Sequence, residues 1–456
     1  MQYKKTEIIM KLIFFLLLLL NSLFGYSQTE IWKNNAEKCT NEKFVKKIQP
    51  SKYNLSSNKF LQKLSIWKSD KEISGKEVYN KIINWSEYPK PKKTGIIIEN
   101  QIELDTTYSV PYYIYIPENY SNDLPTKLLI YYKGGWISRK NLPDNVAKEI
   151  VIDNPTFQYL DKYNIVEVFP ALENKLAIYG MYGYKHLRLI LAETKKLLNI
   201  DDNQVYLAGF SDGGRTVYNL AYLRPTQFAS FYSINGTINN SNMNYPNFSN
   251  REITTYSGIK DKLVNYKYPL SIAEKANEFG ANWKIRLFNE GHFYFPYEKE
   301  ILPEMFNQIK NSYRNPFPNR IIYHKDYDYD ELNGIDWLHI KTNSKRNPEK
   351  WHYSSEVNIV RTEKEIDTFV YGEKTSQVIA NYFNNTFILK SSLIDEIEIY
   401  ISPLMVDINR PIKIIVNNKE VYNQKITFNK TFILENFMEK FDRKQVWINK
   451  ISIDVE

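Results

Sequence analysis

"VYLAGFSDGGRT", residues 205–216, is the stretch on which the reading of this chain turns. Val205, Tyr206, Leu207 and Ala208 form a short apolar run of the kind that fills a buried parallel strand, and Val217, Leu220 and Ala221 follow at helical spacing. Between them, Gly209-Phe210-Ser211-Asp212-Gly213 fits G-x-S-x-G. Two explanations compete for Ser211. A small polar residue here can cap the following helix. Alternatively, a strained strand-to-helix turn lifts its hydroxyl out as a nucleophile, with glycines permitting the tight turn and the close packing of helix on strand. The second reading needs partners, because a serine hydroxyl attacks poorly at neutral pH without a base.

Both partners are found downstream. "REITTYSGIKDKLV" (251–264) reads as a strand over 253–256 and then a loop carrying Asp261, and "WKIRLFNEGHFYF" (283–295) as a strand over 285–288 followed by Gly291-His292. The order Ser211, Asp261, His292 places nucleophile, acid and base each just past the C-terminal end of its own strand. His292 would take the serine proton and return it to the leaving group, while Asp261 would hold the imidazole tautomer and stabilise its cation. Of the five histidines, His186 lies in an amphipathic stretch with Leu187, Ile190, Leu191, Leu197 and Leu198 and is expected on a helix surface. His324, His339 and His352 fall in a later region and follow no strand of this series. Asp212 and Glu290 adjoin the serine and the histidine too closely to reach around the imidazole, and Asp201 and Asp202 precede the nucleophile strand.

A tetrahedral intermediate also needs backbone donors for its oxyanion. One is the amide of Asp212, at the start of the following helix, where the dipole helps. "KLLIYYKGGWISRKN" (127–141) supplies the other: an apolar strand over 128–132 runs into Lys133-Gly134-Gly135-Trp136, so the amide of Gly135 or Trp136 is expected to complete the hole, with a plain Gly-Gly turn as the competing reading. Trp136, Tyr182 and Tyr184 are expected on loops lining an acyl or sugar pocket. "DYDYDELNG" (326–334) alternates Asp326, Asp328 and Asp330 like a calcium loop, but Glu331 stands where glycine is required and Trp337 where a bidentate glutamate is required. Zinc-type His/Cys spacing is absent from the sequence, and neither metal nor cofactor is expected.

Taken together, "VPYYIYIPENY" (110–120), "LLIYYKGGW" (128–136), "NIDDNQVYLAGFSDGG" (199–214), "SGIKDKLV" (257–264) and "EGHFYF" (290–295) resemble secreted α/β-hydrolases of the esterase group related to polyhydroxybutyrate depolymerases, dienelactone hydrolases and carboxylesterases. The resemblance implies a mostly parallel sheet of about eight strands flanked by helices, and a serine-ester mechanism. Carried onto this chain, it makes Ser211 the nucleophile, Asp261 the acid, His292 the base, and Asp212 with Gly135 or Trp136 the oxyanion donors. Lys133 departs from the histidine that many relatives have there.

The remaining chain frames this unit. Lys4, Lys5 and Lys11 precede or abut "LIFFLLLLL" (12–20), and Gly25-Tyr26-Ser27 offers small residues at a cleavage point, so residues 1–27 read as a signal peptide for export to the periplasm or beyond. The apolar run is too short to favour a membrane span. Cys39, the single cysteine, lies too far past that run for a lipoprotein site and precludes an intrachain disulfide. The net charge of +8 falls to +6 once residues 1–27 are removed, and the basic residues are dispersed apart from "PKPKK" (89–93), which argues against a nucleic-acid partner.

Residues 28–94 read as a helical packing extension, with stripes Phe60/Leu64/Trp67 and Val78/Ile82/Trp85 and a Ser74/Glu77 capping box, ended by Pro89 and Pro91. The hydrolase unit spans 95–314, from a β-hairpin over 95–120 to a closing helix in "EILPEMFNQIKNSY" (300–313). "NPFPN" (315–319) is the linker. Residues 320–456 hold short β runs such as "IDWLHIK", "EVNIVRT", "EIEIYIS" and "WINKISIDV", with an Asn417-Asn418 hairpin turn, and read as a β-sandwich.

The expected protein is an exported serine hydrolase that cleaves carboxylic esters, its substrate carried on a polysaccharide or polyester. A prolyl-oligopeptidase-like peptidase is the enzymatic alternative, but about 67 residues before Gly95 cannot build the propeller such enzymes carry. The non-enzymatic alternative keeps the hydrolase shell while the sandwich grips a glycan. A chain ending near Arg314 is expected to keep turnover on small esters and to lose action on polymer.

Overall fold

The computed structural model describes residues 48–50, 58–104, 109–134, 155–170, 181–293, 298–326, 333–343 and 346–455. The signal peptide, Cys39, Gly135 and Trp136 lie outside these residues. One sheet contains β1 (Ile48–Pro50), β2 (Ile96–Glu103), β3 (Ser109–Ile116), β4 (Thr126–Tyr132), β5 (Ile165–Pro170), β6 (Ile200–Phe210), β7 (Ser230–Ile234), β8 (Glu252–Gly258) and β9 (Asn282–Phe288), in the order β1-β2-β3-β5-β4-β6-β7-β8-β9. β3 runs antiparallel to β2 and β5, and the other pairings are parallel. Among the described residues the α-helices are α1 (Lys59–Ser69), α2 (Gly75–Ile83), α3 (Phe157–Tyr163), α4 (Met181–Leu197), α5 (Asp212–Leu223), α6 (Lys267–Glu278), α7 (Glu298–Asn311) and α8 (Lys430–Lys440).

Apolar runs make this sheet because both its faces are covered. Leu128, Ile130 and Tyr132 of β4 and Val205 and Leu207 of β6 enter the core beneath α4, α5 and α6. Leu129 and Tyr131 alternate with them into the opposite core, joined by Tyr206, Ala208 and Phe210 and by Ile301, Met305 and Phe306 of α7. A largely parallel sheet with helices on both faces and a strand-turn-helix elbow after β6 is the α/β-hydrolase architecture. The ninth strand is β1, which pairs Ile48 with Ile97 within the segment expected to be helical.

The C-terminal part is built from β10 (Arg320–Lys325), β11 (Gly334–Ile335), β12 (Leu338–Asn343), β13 (Ser355–Val360), β14 (Ile366–Tyr371), β15 (Ser376–Phe383), β16 (Thr386–Ser392), β17 (Ile394–Ile401), β18 (Ile412–Val416), β19 (Lys419–Gln424) and β20 (Asn449–Asp454). A five-stranded sheet, β10-β15-β16-β18-β19, faces a four-stranded one, β11-β12-β17-β20, across a shared core with Trp337, Phe387, Ile397 and Ile414. Asn417 and Asn418, at φ 49° and 70°, form the two-residue turn between β18 and β19, the backbone state that asparagine tolerates best after glycine. "EVNIVRT" does not join either sheet. As β13 it pairs with β14, and the hairpin sends Val357, Ile359 and Tyr371 into the hydrolase core.

The N-terminal helices pack against the C-terminal part. Asn58 caps α1 by accepting from the Phe60 and Leu61 amides, and α2 carries the reciprocal Ser74/Glu77 box. Their buried stripes, Phe60/Leu64/Trp67 and Val78/Ile82, share a core with both C-terminal sheets. Phe60 stacks on Trp85 at 4.3 Å and meets Phe437 and Phe441 at 5.4 and 6.2 Å.

Buried polar pairs complete the junction. Arg314, after α7, donates to both carboxylate oxygens of Asp442 at 2.6 and 3.0 Å, and to Thr226 and Asn203 with its remaining N–H groups. Arg251 pairs with Asp336 at 2.7 Å, and Asp202 takes Lys195 at 3.0 Å and the Arg443 amide at 2.9 Å. Burial opposes ionisation of Asp442, but Arg314 and Lys195 overcome it and hold its carboxyl down at about 2. Among the described residues no helix is long and apolar enough to cross a membrane.

Candidate active site

Parallel register brings the loops together. Tyr132 lies beside Gly209, Phe210 beside Ile234, Ile234 beside Tyr256 and Gly258 beside Phe288, so the loops after β4, β6, β7, β8 and β9 open along one edge of the sheet. Ser211 occupies the turn between β6 and α5 at φ 55°, ψ −115°, a backbone state that costs a residue with a Cβ about 1–3 kcal/mol. Its side chain makes no capping bond to α5, so the helix-cap explanation of this serine fails. Gly213 lets α5 start directly on β4, since a Cβ there would fall 2.0 Å from the Tyr132 carbonyl oxygen. Gly134, just past β4, lies against the serine, where a Cβ on it would fall 2.6 Å from the Ser211 Cβ.

Ser211 Oγ lies 2.9 Å from His292 Nε2, and His292 Nδ1 lies 2.7 Å from Asp261 Oδ2. Because an ionised carboxylate only accepts, Nδ1–H donates to Asp261 and Nε2 is left to accept the Ser211 proton. The second oxygen of Asp261 accepts from the amides of Leu263 and Val264 at 2.8 and 2.9 Å, fixing the carboxylate within its own loop. Exposure falls along the row, from 10 % for the His292 side chain to 1 % for that of Asp261. Phe210 packs against the imidazole with ring centres 5.2 Å apart. Oγ can therefore be deprotonated in place by a base whose other nitrogen is already held. Asp212, the first residue of α5, stands at the positive end of the helix.

The other histidines are engaged elsewhere. His324 Nδ1 bonds the Tyr371 hydroxyl at 2.8 Å, His339 stacks on Tyr400 at 4.1 Å, and His352 bridges Ser392 Oγ and the Gly372 carbonyl. His186 is on a helix as expected but fully buried in α4, which is covered by the sheet on one side and contacted by α8 on another. Burial lowers its pKa to about 4. Asp202 belongs to the junction with Lys195 and Arg443.

The expected pocket aromatics also need correction. Tyr182 and Tyr184 fall within α4, not on loops, because the helical stripe of Leu187 and Leu191 extends upstream through Tyr184. Tyr184 is buried and borders a cavity of about 190 Å³ between α4, α5 and the C-terminal part, whose lining includes none of Ser211, Asp261 and His292.

Two features escaped the sequence reading. Asn235, directly after β7, bonds both the His292 loop and the end of β8, and its local signal is only the Asn-Gly pair at 235–236. The β13–β14 hairpin reaches the segment after Asp261, where Glu363 meets Lys267 at 3.1 Å and Asn265 at 3.3 Å. A contact across so many residues leaves no local trace in the sequence.

No protein-family model matches the chain, and no curated protein matches it. Solved structures do. A thermostable esterase is 15% identical with a TM-score of 0.40, the match covering 48% of this chain and 63% of that one. An S-formylglutathione hydrolase of Staphylococcus aureus is 13% identical at a TM-score of 0.37, over 49% of this chain and 99% of that one. A Bacteroides ovatus protein provisionally assigned as a dipeptidyl aminopeptidase IV is 13% identical at 0.40, over 47% and 36%. The chain thus spans under two thirds of the length of the first and third of these proteins.

Proposed function

We propose that this chain is an exported serine hydrolase that cleaves carboxylic esters, with Ser211 as nucleophile, His292 as general base and acid, and Asp261 as the group that orients the imidazole. The observation that carries the reading is the continuous row from Oγ through both ring nitrogens to a buried carboxylate, at 2.9 and 2.7 Å, on a serine that caps nothing. His292 Nε2 takes the proton as Oγ attacks the ester carbonyl, and the Asp212 amide, with that of Gly135 or Trp136, receives the developing oxyanion. Proton return to the leaving alcohol yields an acyl-enzyme, which water hydrolyses by the same route in reverse order. The ester is borne on a polysaccharide or polyester, and residues 1–27 direct the protein out of the cytoplasm.

The test is hydrolysis of p-nitrophenyl acetate by the purified protein, beside acetylated and feruloylated polysaccharides and a peptide p-nitroanilide. Ester turnover that disappears in S211A supports the reading. Turnover of the anilide alone, or undiminished ester turnover in S211A, overturns it.

A further inference from the structure

We infer that Asn235 is a positioning residue that locks the loops bearing His292 and Asp261 into register, an inference that rests on the reading of the site given above. Asn235 is 1 % exposed and sits at φ 43°, in the left-handed region that asparagine tolerates. Its Nδ2 donates to the His292 carbonyl at 2.5 Å and to that of Gly291 at 3.3 Å. Its Oδ1 accepts from the Gly258 amide at 2.8 Å, and its own amide donates to the Tyr256 carbonyl at 2.8 Å. One side chain therefore joins the backbone of the base to the end of β8, three residues before the acid.

The same turn grips the nucleophile. The Ser211 amide donates to the Ile234 carbonyl at 2.9 Å, and the Thr237 amide to the Ser211 carbonyl at 3.4 Å. The turn from 234 to 237 is thus bonded to all three loops on which the chemistry depends. An imidazole that must meet a serine on one side and a carboxylate on the other gains rate from a backbone that cannot drift, and small displacements at such sites are expensive. Asn suits the position twice over: its backbone accepts the positive φ, and its amide donates and accepts at once, whereas a carboxylate would face two carbonyl oxygens without a proton to give.

The experiment compares wild type, N235G and N235D. Glycine keeps the left-handed backbone and removes the amide. Active sites are counted by labelling Ser211 with a fluorophosphonate, and kcat and KM for p-nitrophenyl acetate are expressed per labelled site. N235G is expected to lose about 10- to 100-fold in kcat with KM little changed. A purely structural role would lower the labelled fraction and leave kcat per site intact, and that result overturns the inference. N235D preserves volume and gives a second test should N235G fail to fold. Its carboxyl, pressed against two carbonyls, regains a donor only when protonated, so its activity relative to wild type should be higher at about pH 6 than at about pH 8. A pH-independent ratio overturns the inference. Failure of wild-type Ser211 to take the label overturns the reading of the site itself, and the inference falls with it.

Discussion

Asp261 and Asp442 carry side chains that are each 1 % exposed, yet one faces an imidazole and the other a guanidinium. Asp442 shares a fully buried bidentate pair whose arginine bonds two further partners, so that both members of the pair stay charged near neutral pH. Asp261 is equally enclosed, but its histidine presents a second nitrogen to Ser211 at the sheet edge. The difference is in the partner. A buried carboxylate fixes structure when its partner is a guanidinium bonded on all sides, and orients a base when its partner is an imidazole whose other nitrogen faces a hydroxyl.

The harshest test of the junction is deletion. The expectation that a chain ending near Arg314 keeps its turnover does not suit the structure, because Arg314 is itself buried against Asp442 and the helices α1 and α2 share their core with the removed part. The truncated chain is expected to yield no soluble folded protein, as judged by circular dichroism and size exclusion; a monodisperse, active fragment would show that the two halves are independent. S211A comes next, with a loss of about a million-fold in kcat and an unchanged melting temperature. Retention of a tenth of the activity would remove Ser211 from the chemistry.

The two aspartates can then be exchanged for their amides. D261N is expected to cost about 10⁴-fold in kcat with little effect on stability, because the amide stabilises the wrong tautomer of His292. D442N should cost about 3–5 kcal/mol of stability and leave kcat of the folded fraction near wild type, since it strands Arg314 in the interior. Urea unfolding and steady-state kinetics on both variants decide, and swapped outcomes would undo the contrast.

His186 gives the smallest effect. Its folded pKa, about 4 against 6.5, is depressed by burial, so the folded state resists protonation; this histidine's share of stability is whole above pH 6.5 and lost as pH falls through about 4. Fully realised, that loss is roughly 3 kcal/mol. H186L should keep wild-type kcat and show a smaller stability difference between about pH 7 and about pH 4 in urea titrations. An equal difference in both proteins would place the acid sensitivity elsewhere.

Local pattern made some of this legible. Ser211, Asp261 and His292 each follow a short apolar run, and a parallel sheet sets such loop starts side by side, so the G-x-S-x-G motif and the chain order pointed to three residues that the structure brings within hydrogen-bond reach. The stripes of α1 and α2 and the Ser74/Glu77 box were equally local signals. What was misread depended on distant chain. His186 was expected on a surface because nothing nearby in sequence announces the cover over α4. The destination of "EVNIVRT" in the hydrolase core was settled by partners such as Ser271, 89 residues from Val360, and the docking of the N-terminal helices on the C-terminal part by partners such as Arg443, 358 residues from Trp85.

That last docking has a consequence for how the molecule is made. Arg443 donates to the Trp85 carbonyl across 358 residues of sequence. Phe60, Trp67 and Trp85 leave the ribosome long before the aromatic wall formed by Phe437 and Phe441, an interval set by the 358 residues that separate Trp85 from Arg443. Until then the first helices have an apolar face and no place to bury it, and at roughly 5–20 residues per second that exposure lasts tens of seconds. Closing so long a loop is slow, and unpaired aromatic surface invites association with other chains. A polypeptide released short of α8 therefore leaves Phe60, Trp67 and Trp85 without the partners that bury them, in solvent where chaperones and proteases act.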